Sequence, residues 1–269
     1  MRILVIGAAG FIGSNLTCYA VSQGHGVVAL CRSGKVHGFV GDTFKWGLGQ
    51  PVPLAALDEV DCAVHLAHDF DGDTGARLTQ EATLVCVDQI RAAGVARQLF
   101  FSSYSAGEHA CSLYGQTKLA IEKGIAGNGD VIIVRPGLVV GNGGIYSKIR
   151  TAAMRLPVVP LPDGGSGKVP VIGIEQLCQR VISIAGRQSV LHEINLFDSE
   201  LVSLRTLVLD AARQVGRRPL ILPIPGGLLL FGLGLAKLLH IAMPINEDNL
   251  RGFISNQSAL HHATSEDYL

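Results

Sequence analysis

The chain has 269 residues, enough for one large domain or for a domain with a smaller lobe, and its 22 basic and 22 acidic residues cancel. A zero net charge gives no electrostatic footprint for nucleic acid or anionic lipid, so no nucleic-acid partner is expected. With 48% hydrophobic and only 16% charged residues, much of the surface must be weakly polar.

The amino-terminal run "MRILVIGAAGFIGSNL" reads as a buried strand, then a loop, then a helix over 11–23; it is too short and glycine-rich for a signal peptide. Gly7, Gly10 and Gly13 fall as G-x-x-G-x-x-G between the strand and the helix, with Phe11 and Ile12 inside the motif. A diphosphate needs this order: a tight turn, a close backbone approach and a helix N-terminus aimed at the anion. The motif therefore predicts dinucleotide binding.

The second strand, 26–31, ends in "LCRSGK". An acidic residue there would grip the ribose 2′-hydroxyl of NAD, but this chain offers Cys31, Arg32, Ser33 and Lys35. Two cations and no carboxylate suit a 2′-phosphate, with Arg32 as the fork donor, so NADP is preferred over NAD. Asp42, in "FVGD", is placed near the adenine. A strand over 61–67 runs into "HLAHDF", whose backbone at Leu66 and Ala67 would line the cofactor.

A helix over 76–93 and a strand over 97–103 follow, the strand ending in "FFSS". Ser102 or Ser103 there would hydrogen-bond a substrate oxygen. The next helix, 112–125, carries "SLYGQTKLAIEK", in which Tyr114 and Lys118 lie four apart and share one face. A free phenol is too weak an acid to serve as a base near neutrality, and an adjacent ammonium favours the phenolate. The pair thus reads as an acid/base that exchanges a proton with a hydroxyl or carbonyl as hydride moves. Glu122 either pairs with Lys118 or makes a surface contact with Lys123 or solvent.

A fifth apolar strand spans 130–136, and such strands alternating with helices imply a doubly wound parallel α/β sheet of the Rossmann kind. After about residue 140, glycine- and proline-rich segments alternate with helices over 174–186 and 203–216. We divide the chain into a dinucleotide-binding core over 1–140 and a mainly substrate-binding lobe over 141–269, interleaved with the last strands of the sheet. "DGGSGKVP" (163–170) reads as a loop over the cleft, with Lys168 a contact for an anionic substrate.

The stretch 219–244 is almost wholly apolar but broken by glycines, prolines and Lys237. Burial or the lining of a groove is the first expectation for it, a membrane surface or partner the second, and a membrane span the last. His261 and His262 lack partner spacing, and no metal site is expected. Six scattered cysteines without a C-x-x-C pair read as reduced thiols of a cytoplasmic protein.

Together, "GAAGFIG", "HLA", "FSS", "YGQTK" and "VRPGLVVGNGG" resemble the short-chain dehydrogenase/reductase superfamily, and within it the extended branch, the NAD-dependent epimerase/dehydratase family. They run in family order from residue 3 to about 144, with fainter likeness through "VIGIEQLCQRVISI". The resemblance implies that Tyr114 is the acid/base, that Lys118 lowers its pKa and holds the nicotinamide ribose, and that Ser103 orients the substrate oxygen. It also implies that Arg135 and Pro136 lead into a loop beside the nicotinamide, and that two chains dimerise through the helices 76–93 and 112–125.

Three functions follow as expectations. The first is an NAD(P)-dependent oxidoreductase, epimerase or dehydratase acting on a hydroxyl or keto carbon of a small-molecule substrate, a nucleoside-diphosphate sugar. Its diphosphate would be met by cations among Arg150, Arg155, Arg205, Arg217 and Arg218. The second is a reductase or dehydrogenase of a hydrophobic alcohol or ketone, similar to hydroxysteroid and flavonoid reductases. The third is a non-catalytic dinucleotide-binding subunit or redox sensor.

Overall fold

The structure, a computed structural model, describes residues 1–187, 191–239, 243, 245–255 and 261–264. Strand β1 (Arg2–Ile6) leads through the glycine loop into α1 (Phe11–Ser22), β2 (Gly26–Cys31) and β3 (Asp42–Lys45). There follow β4 (Cys62–His65), α2 (Gly72–Ala92), β5 (Arg97–Phe101), α3 (Leu113–Ile125) and β6 (Val131–Pro136). Next come β7 (Leu138–Val140), α4 (Gly144–Arg155), β8 (Val158–Pro162), β9 (Lys168–Val169) and β10 (Val171–Gly173). The remainder forms α5 (Ile174–Gly186), β11 (Glu193–Leu196), β12 (Val202–Ser203) and α6 (Leu204–Arg213). Last are β13 (Leu220–Ile224), α7 (Gly226–Leu238) and α8 (Glu247–Ser255).

Seven strands form the main sheet in the order β11-β6-β5-β4-β1-β2-β3, each neighbouring pair parallel. The chain reverses its direction of travel across the sheet between β1 and β4. There the loops at the carboxyl ends part and leave the crevice where α/β sheets hold ligands. Both faces are covered. Leu16 and Ala20 of α1 with Leu177, Val181 and Ile184 of α5 bury Ile3, Val5, Ala29 and Val64. On the opposite face Cys86 and Ile90 of α2 cover Leu4, Ile6 and Ala63, while Ile121 and Ile125 of α3 cover Phe100 and Ile133. Burial on both sides is why these strands read as unbroken apolar runs.

Three two-stranded sheets, β10–β7, β12–β9 and β13–β8, surround a second apolar cluster that includes Tyr146, Ile149, Leu161, Leu207, Val208 and Phe253. Helix α7 departs from the burial expected first for 219–244. Leu228, Phe231, Leu235 and Leu238, spaced 3, 4 and 3 apart and so on one helical face, are 62%, 72%, 47% and 73% exposed. Residues 240–242 and 244 of that stretch lie outside the described residues. Among the described residues no helix is long and apolar enough to cross a membrane.

Candidate active site

The carboxyl edge of the sheet gathers most of the residues singled out from the sequence. Gly7 follows β1 with a φ of +89°, and a Cβ there would lie 2.7 Å from Ala67 N. Only glycine lets the loop pass this close to the backbone of Leu66 and Ala67, which follow β4. Gly10 is the N-cap of α1 and has no side chain to close the helix, and the first turn, with Phe11, Ile12 and Gly13, carries no acid. The helix N-terminus is thus left open to an anion. A cleft of about 540 Å³ opens here, lined by Gly10, Phe11, Ser14, Asn142, Gly143 and Glu175. A glycine cradle without room for a Cβ, beside an open helix end, fits the diphosphate of a dinucleotide.

Arg32 follows the carboxyl end of β2. Its side chain is 80% exposed, and Nη1 stands 3.7 Å from Asp69 Oδ2, a long contact that a stronger anion can replace. Asp42 does not join this edge. It opens β3 opposite Val28, at the amino end of the sheet, and its carboxylate accepts from Arg2 Nη2 at 2.7 Å. The adenine placement is therefore corrected: in a parallel strand, residues that begin the strand lie at the end away from the ligand crevice. Trp46 and Gly47, just beyond β3, occupy the edge instead.

Helix α3 is fastened to the end of β5. Lys118 is 2% exposed, and its Nζ donates to the carbonyl of Phe101 at 2.7 Å, two residues before Ser103. Ser112 caps the helix by accepting from Gly115 N at 3.1 Å. A Cβ on Gly115 would meet Ser105 O at 2.5 Å, so this glycine lets the serine loop lie directly on the helix. Ser103 Oγ accepts from Ser105 N at 3.1 Å, which turns the loop, whereas Ser102 is buried with its Oγ unpartnered. Pro136 O accepts from Tyr104 N at 3.1 Å and ties the same loop to the end of β6.

The electrostatics differ from the sequence expectation. Burial pushes the Tyr114 phenol up to about 12, and the same burial brings the Lys118 ammonium down to about 7, opposed by the Glu122 carboxylate. Desolvation by burial is what holds the phenol in its protonated form. Without a dinucleotide, Tyr114 is a proton donor rather than a base.

Glu122 pairs with neither Lys118 nor solvent. It is buried and holds Arg135 of β6 through two bonds, Nε to Oε1 at 2.8 Å and Nη2 to Oε2 at 2.6 Å. Arg135 Nη1 reaches Glu193 of β11 at 2.7 Å. The guanidinium is thereby spent on ion pairs with the buried Glu122 of α3 and the half-exposed Glu193 of β11, so Arg135, expected as a cofactor-binding residue, turns its side chain to partners within the chain instead.

Two side chains not assigned to the site from the sequence lie on Tyr114. His68 meets its ring edge-on, 4.9 Å between centroids, and Phe70 lies nearly parallel to it at 6.0 Å and 15°. His68 also touches Phe70 at 4.5 Å. Burial and the nearby Lys118 bring the His68 imidazolium down to about 3, so the ring is neutral, and its buried Nδ1 has no partner. Phe70 is 79% exposed. The signal was the motif "HLAHDF", where two rings follow the strand end instead of small residues.

The family model described as the NAD dependent epimerase/dehydratase family matches residues 3–164, more than half of the chain. The ceramide reductase of Caulobacter vibrioides (strain NA1000 / CB15N) is 28% identical over 243 residues, which cover 86% of this chain and 76% of that protein. Among solved structures, gox2253 matches with a TM-score of 0.75 at 19% identity, over 99% of this chain and 90% of its own. MoeE5 in complex with UDP-glucose and NAD matches with a TM-score of 0.69 at 23% identity, over 84% and 85%. At such identities the two structures speak for the fold alone.

Proposed function

Because the chain belongs to the NAD dependent epimerase/dehydratase family, we propose that it is a nicotinamide-dependent oxidoreductase that interconverts a ketone and a secondary alcohol on an apolar substrate. One observation carries this reading: a protonated Tyr114, on a helix fastened by Lys118 to the end of β5, is flanked by the exposed ring of Phe70 and the neutral ring of His68. An uncharged aromatic wall favours an apolar body beside the reacting carbon. The ceramide reductase relative supports the same substrate class. We further propose that the exposed row of α7 rests on the membrane or lipid aggregate that holds this substrate.

The glycine loop and the backbone of Leu66 and Ala67 would hold the dinucleotide, which when bound supplies the hydride to the carbonyl carbon. Tyr114 gives its phenolic proton to the carbonyl oxygen as the carbon is reduced and regains a proton from solvent. In the opposite direction it takes the proton of the alcohol. Ser103 hydrogen-bonds the same oxygen and fixes which face of the carbonyl meets the nicotinamide. Lys118 sets the height of α3 against β5, and its ammonium, when charged, steadies the phenolate left after transfer.

Arg32 is assigned to the 2′-phosphate of NADP. Arg32→Ala is expected to weaken NADPH binding about tenfold while leaving NADH unchanged, by calorimetric titration; equal losses for both would refute that assignment. The function itself is tested by following NAD(P)H oxidation with long-chain keto lipids in vesicles, against a panel of UDP-sugars. Turnover of the keto lipid alone is expected.

A second reading, action on a nucleotide sugar, is favoured by Arg150. Its Nη1 donates to Asn142 at 2.8 Å, and Asn142 lines the cleft at the glycine loop. Turnover of a UDP-sugar and of no lipid would select it. A non-catalytic dinucleotide-binding subunit would turn over neither; the presence of both Tyr114 and Lys118 speaks against it.

A further inference from the structure

Helix α3 begins with N–H groups that no turn of its own can satisfy. Ser112 takes that of Gly115. The other two in the first turn, on Leu113 and on Tyr114 itself, donate to one carboxylate far along the chain. Leu113 N reaches Asp248 Oδ1 at 2.6 Å, and Tyr114 N reaches Asp248 Oδ2 at 3.4 Å.

Asp248 lies in the first turn of α8, and that helix is anchored among carboxyl-terminal elements of the chain. Phe253 is buried in the carboxyl-terminal cluster with Tyr146, Ile149 and Leu207. Gly226 of α7 packs against Ile254, to which a Cβ would come within 3.0 Å. One turn beyond Asp248, the Cβ position of Gly252 lies 3.7 Å from Ser112 Oγ and 4.0 Å from Ser105 Oγ. Helix α8 is therefore wedged between the carboxyl-terminal cluster and the loop that joins Ser103 to Tyr114.

A single hydroxyl is enough to begin a helix in this chain: Ser203 does it for α6, accepting from Thr206 N at 3.0 Å. At α3 a serine is present and a bidentate carboxylate is added. The two contacts hold the successive peptides on either side of Leu113 against one rigid group, the shorter at Leu113 N and the longer at Tyr114 N. The orientation of these two peptides sets the direction in which the Tyr114 side chain leaves the backbone. A displacement of about 1 Å at a reacting group costs on the order of 100-fold in rate.

We propose that Asp248 is a positioning residue for Tyr114, a clasp by which the carboxyl-terminal half of the chain aims the phenol at the substrate oxygen. The proposal rests on the reading of Tyr114 as the proton donor. It extends that reading by making the site incomplete without α8.

The test measures kcat, the KM for NADH, and nitration of Tyr114 by tetranitromethane, read by peptide mass spectrometry, which needs no substrate. Asp248→Ala is expected to lower kcat by about tenfold, with the KM for NADH within about twofold of wild type, and to change the nitration rate about threefold or more. Asp248→Asn keeps one acceptor oxygen and is expected to fall between, near a threefold loss in kcat. Ser203→Ala removes a cap of another helix and is expected to leave kcat and nitration unchanged, which sets the effect of Asp248 apart from a general loss of stability. If Asp248→Ala keeps the wild-type kcat and nitration rate, or fails to fold while Asp248→Asn matches wild type in both, Asp248 is a structural cap and the proposal falls. Tyr114→Phe is run in the same assay. Full activity there would overturn the reading of Tyr114, and with it the clasp, whereas an inactive Tyr114→Phe beside an unaffected Asp248→Ala would overturn the clasp alone.

Discussion

Helices α3 and α7 are each 13 residues long and break opposite rules. The first buries two ionisable side chains, Lys118 at 2% and Glu122 at 4% exposure, and the second turns a row of leucines and a phenylalanine to the outside. Both arrangements cost free energy. Burying a charge costs several kcal/mol unless it is paired, and leaving a leucine or phenylalanine exposed forgoes about 1.5–3 kcal/mol that full burial would supply. The difference lies in where compensation comes from. For α3 it is within the chain, in the Phe101 carbonyl and the Arg135 guanidinium. The described residues of the chain supply no cover for the row on α7, and this is why we assign its compensation to a lipid surface.

The strongest way to break the first half of this contrast is Tyr114→Phe, which removes one oxygen and leaves the buried charges beneath it. It is expected to lower kcat by a factor of about 10²–10⁴ with NADH affinity unchanged, as steady-state kinetics and calorimetry would show. A loss confined to KM would mean that Tyr114 only binds. Next in size is Glu122→Gln, which leaves the buried guanidinium of Arg135 facing only Glu193, itself half exposed. A loss of roughly 3–5 kcal/mol in urea unfolding is expected, with most of it recovered in the double variant Glu122→Leu/Arg135→Met. A double variant as unstable as the single one would mean that the network cannot be replaced by apolar packing.

Lys118 gives the comparison a pH dependence. In the unfolded chain this lysine holds its proton to about 10.5, while in the folded protein burial brings it down to about 7. Between these values the unfolded state binds more protons, so stability rises with pH. The cost of the buried ammonium is fully present below pH 7 and is relieved as pH climbs from about 7 towards 10.5. Urea unfolding of wild type and of Lys118→Met, compared at pH 6 and pH 9.5, is expected to show the difference moving in favour of wild type at the higher pH. A difference that stays constant would place the folded pKa of Lys118 near its ordinary value.

The same two helices show how far the sequence could be read. Tyr114 and Lys118 lie four apart in one helix, so their shared face was legible from spacing, as was the glycine loop between an apolar run and a helix. The strands covered on both faces announced themselves as apolar runs. The edge strands β3 and β11, "DTFK" and "EINL", did not, because four residues with polar positions carry no such run. Asp42 was misplaced with β3: without that strand's start, nothing in "FVGD" tells which end of the sheet the carboxylate joins. Partners across elements were equally hidden. Glu122 and Arg135 are 13 residues apart on different elements, and Asp248 caps a helix 135 residues upstream. The direction of the Tyr114 shift depends on burial, a property of the folded neighbourhood and not of the Tyr-x-x-x-Lys spacing. In α7 the near-unbroken run of glycines and leucines gave no sign of which face would be covered.

The smallest effect on stability, and the sharpest test of the second half of the contrast, comes from α7. Phe231→Glu/Leu235→Glu places two carboxylates in the exposed row, where solvent already reaches 72% and 47% of the residues replaced. Because little packing is lost, unfolding free energy is expected to stay within about 0.5 kcal/mol per site of wild type. A membrane role makes a different demand: each carboxylate must leave water or keep the helix off the lipid. Co-sedimentation with vesicles is therefore expected to fall, and so is turnover of a long-chain keto lipid carried in them. Turnover of a short, freely soluble ketone should hold, because α3 and the rings around Tyr114 are untouched. Loss of both activities in a stably folded variant would tie α7 to the active site and not to the lipid. Retention of both would leave the row without the lipid contact, and the fourfold repetition of large apolar residues on one open face would then need another partner to explain it.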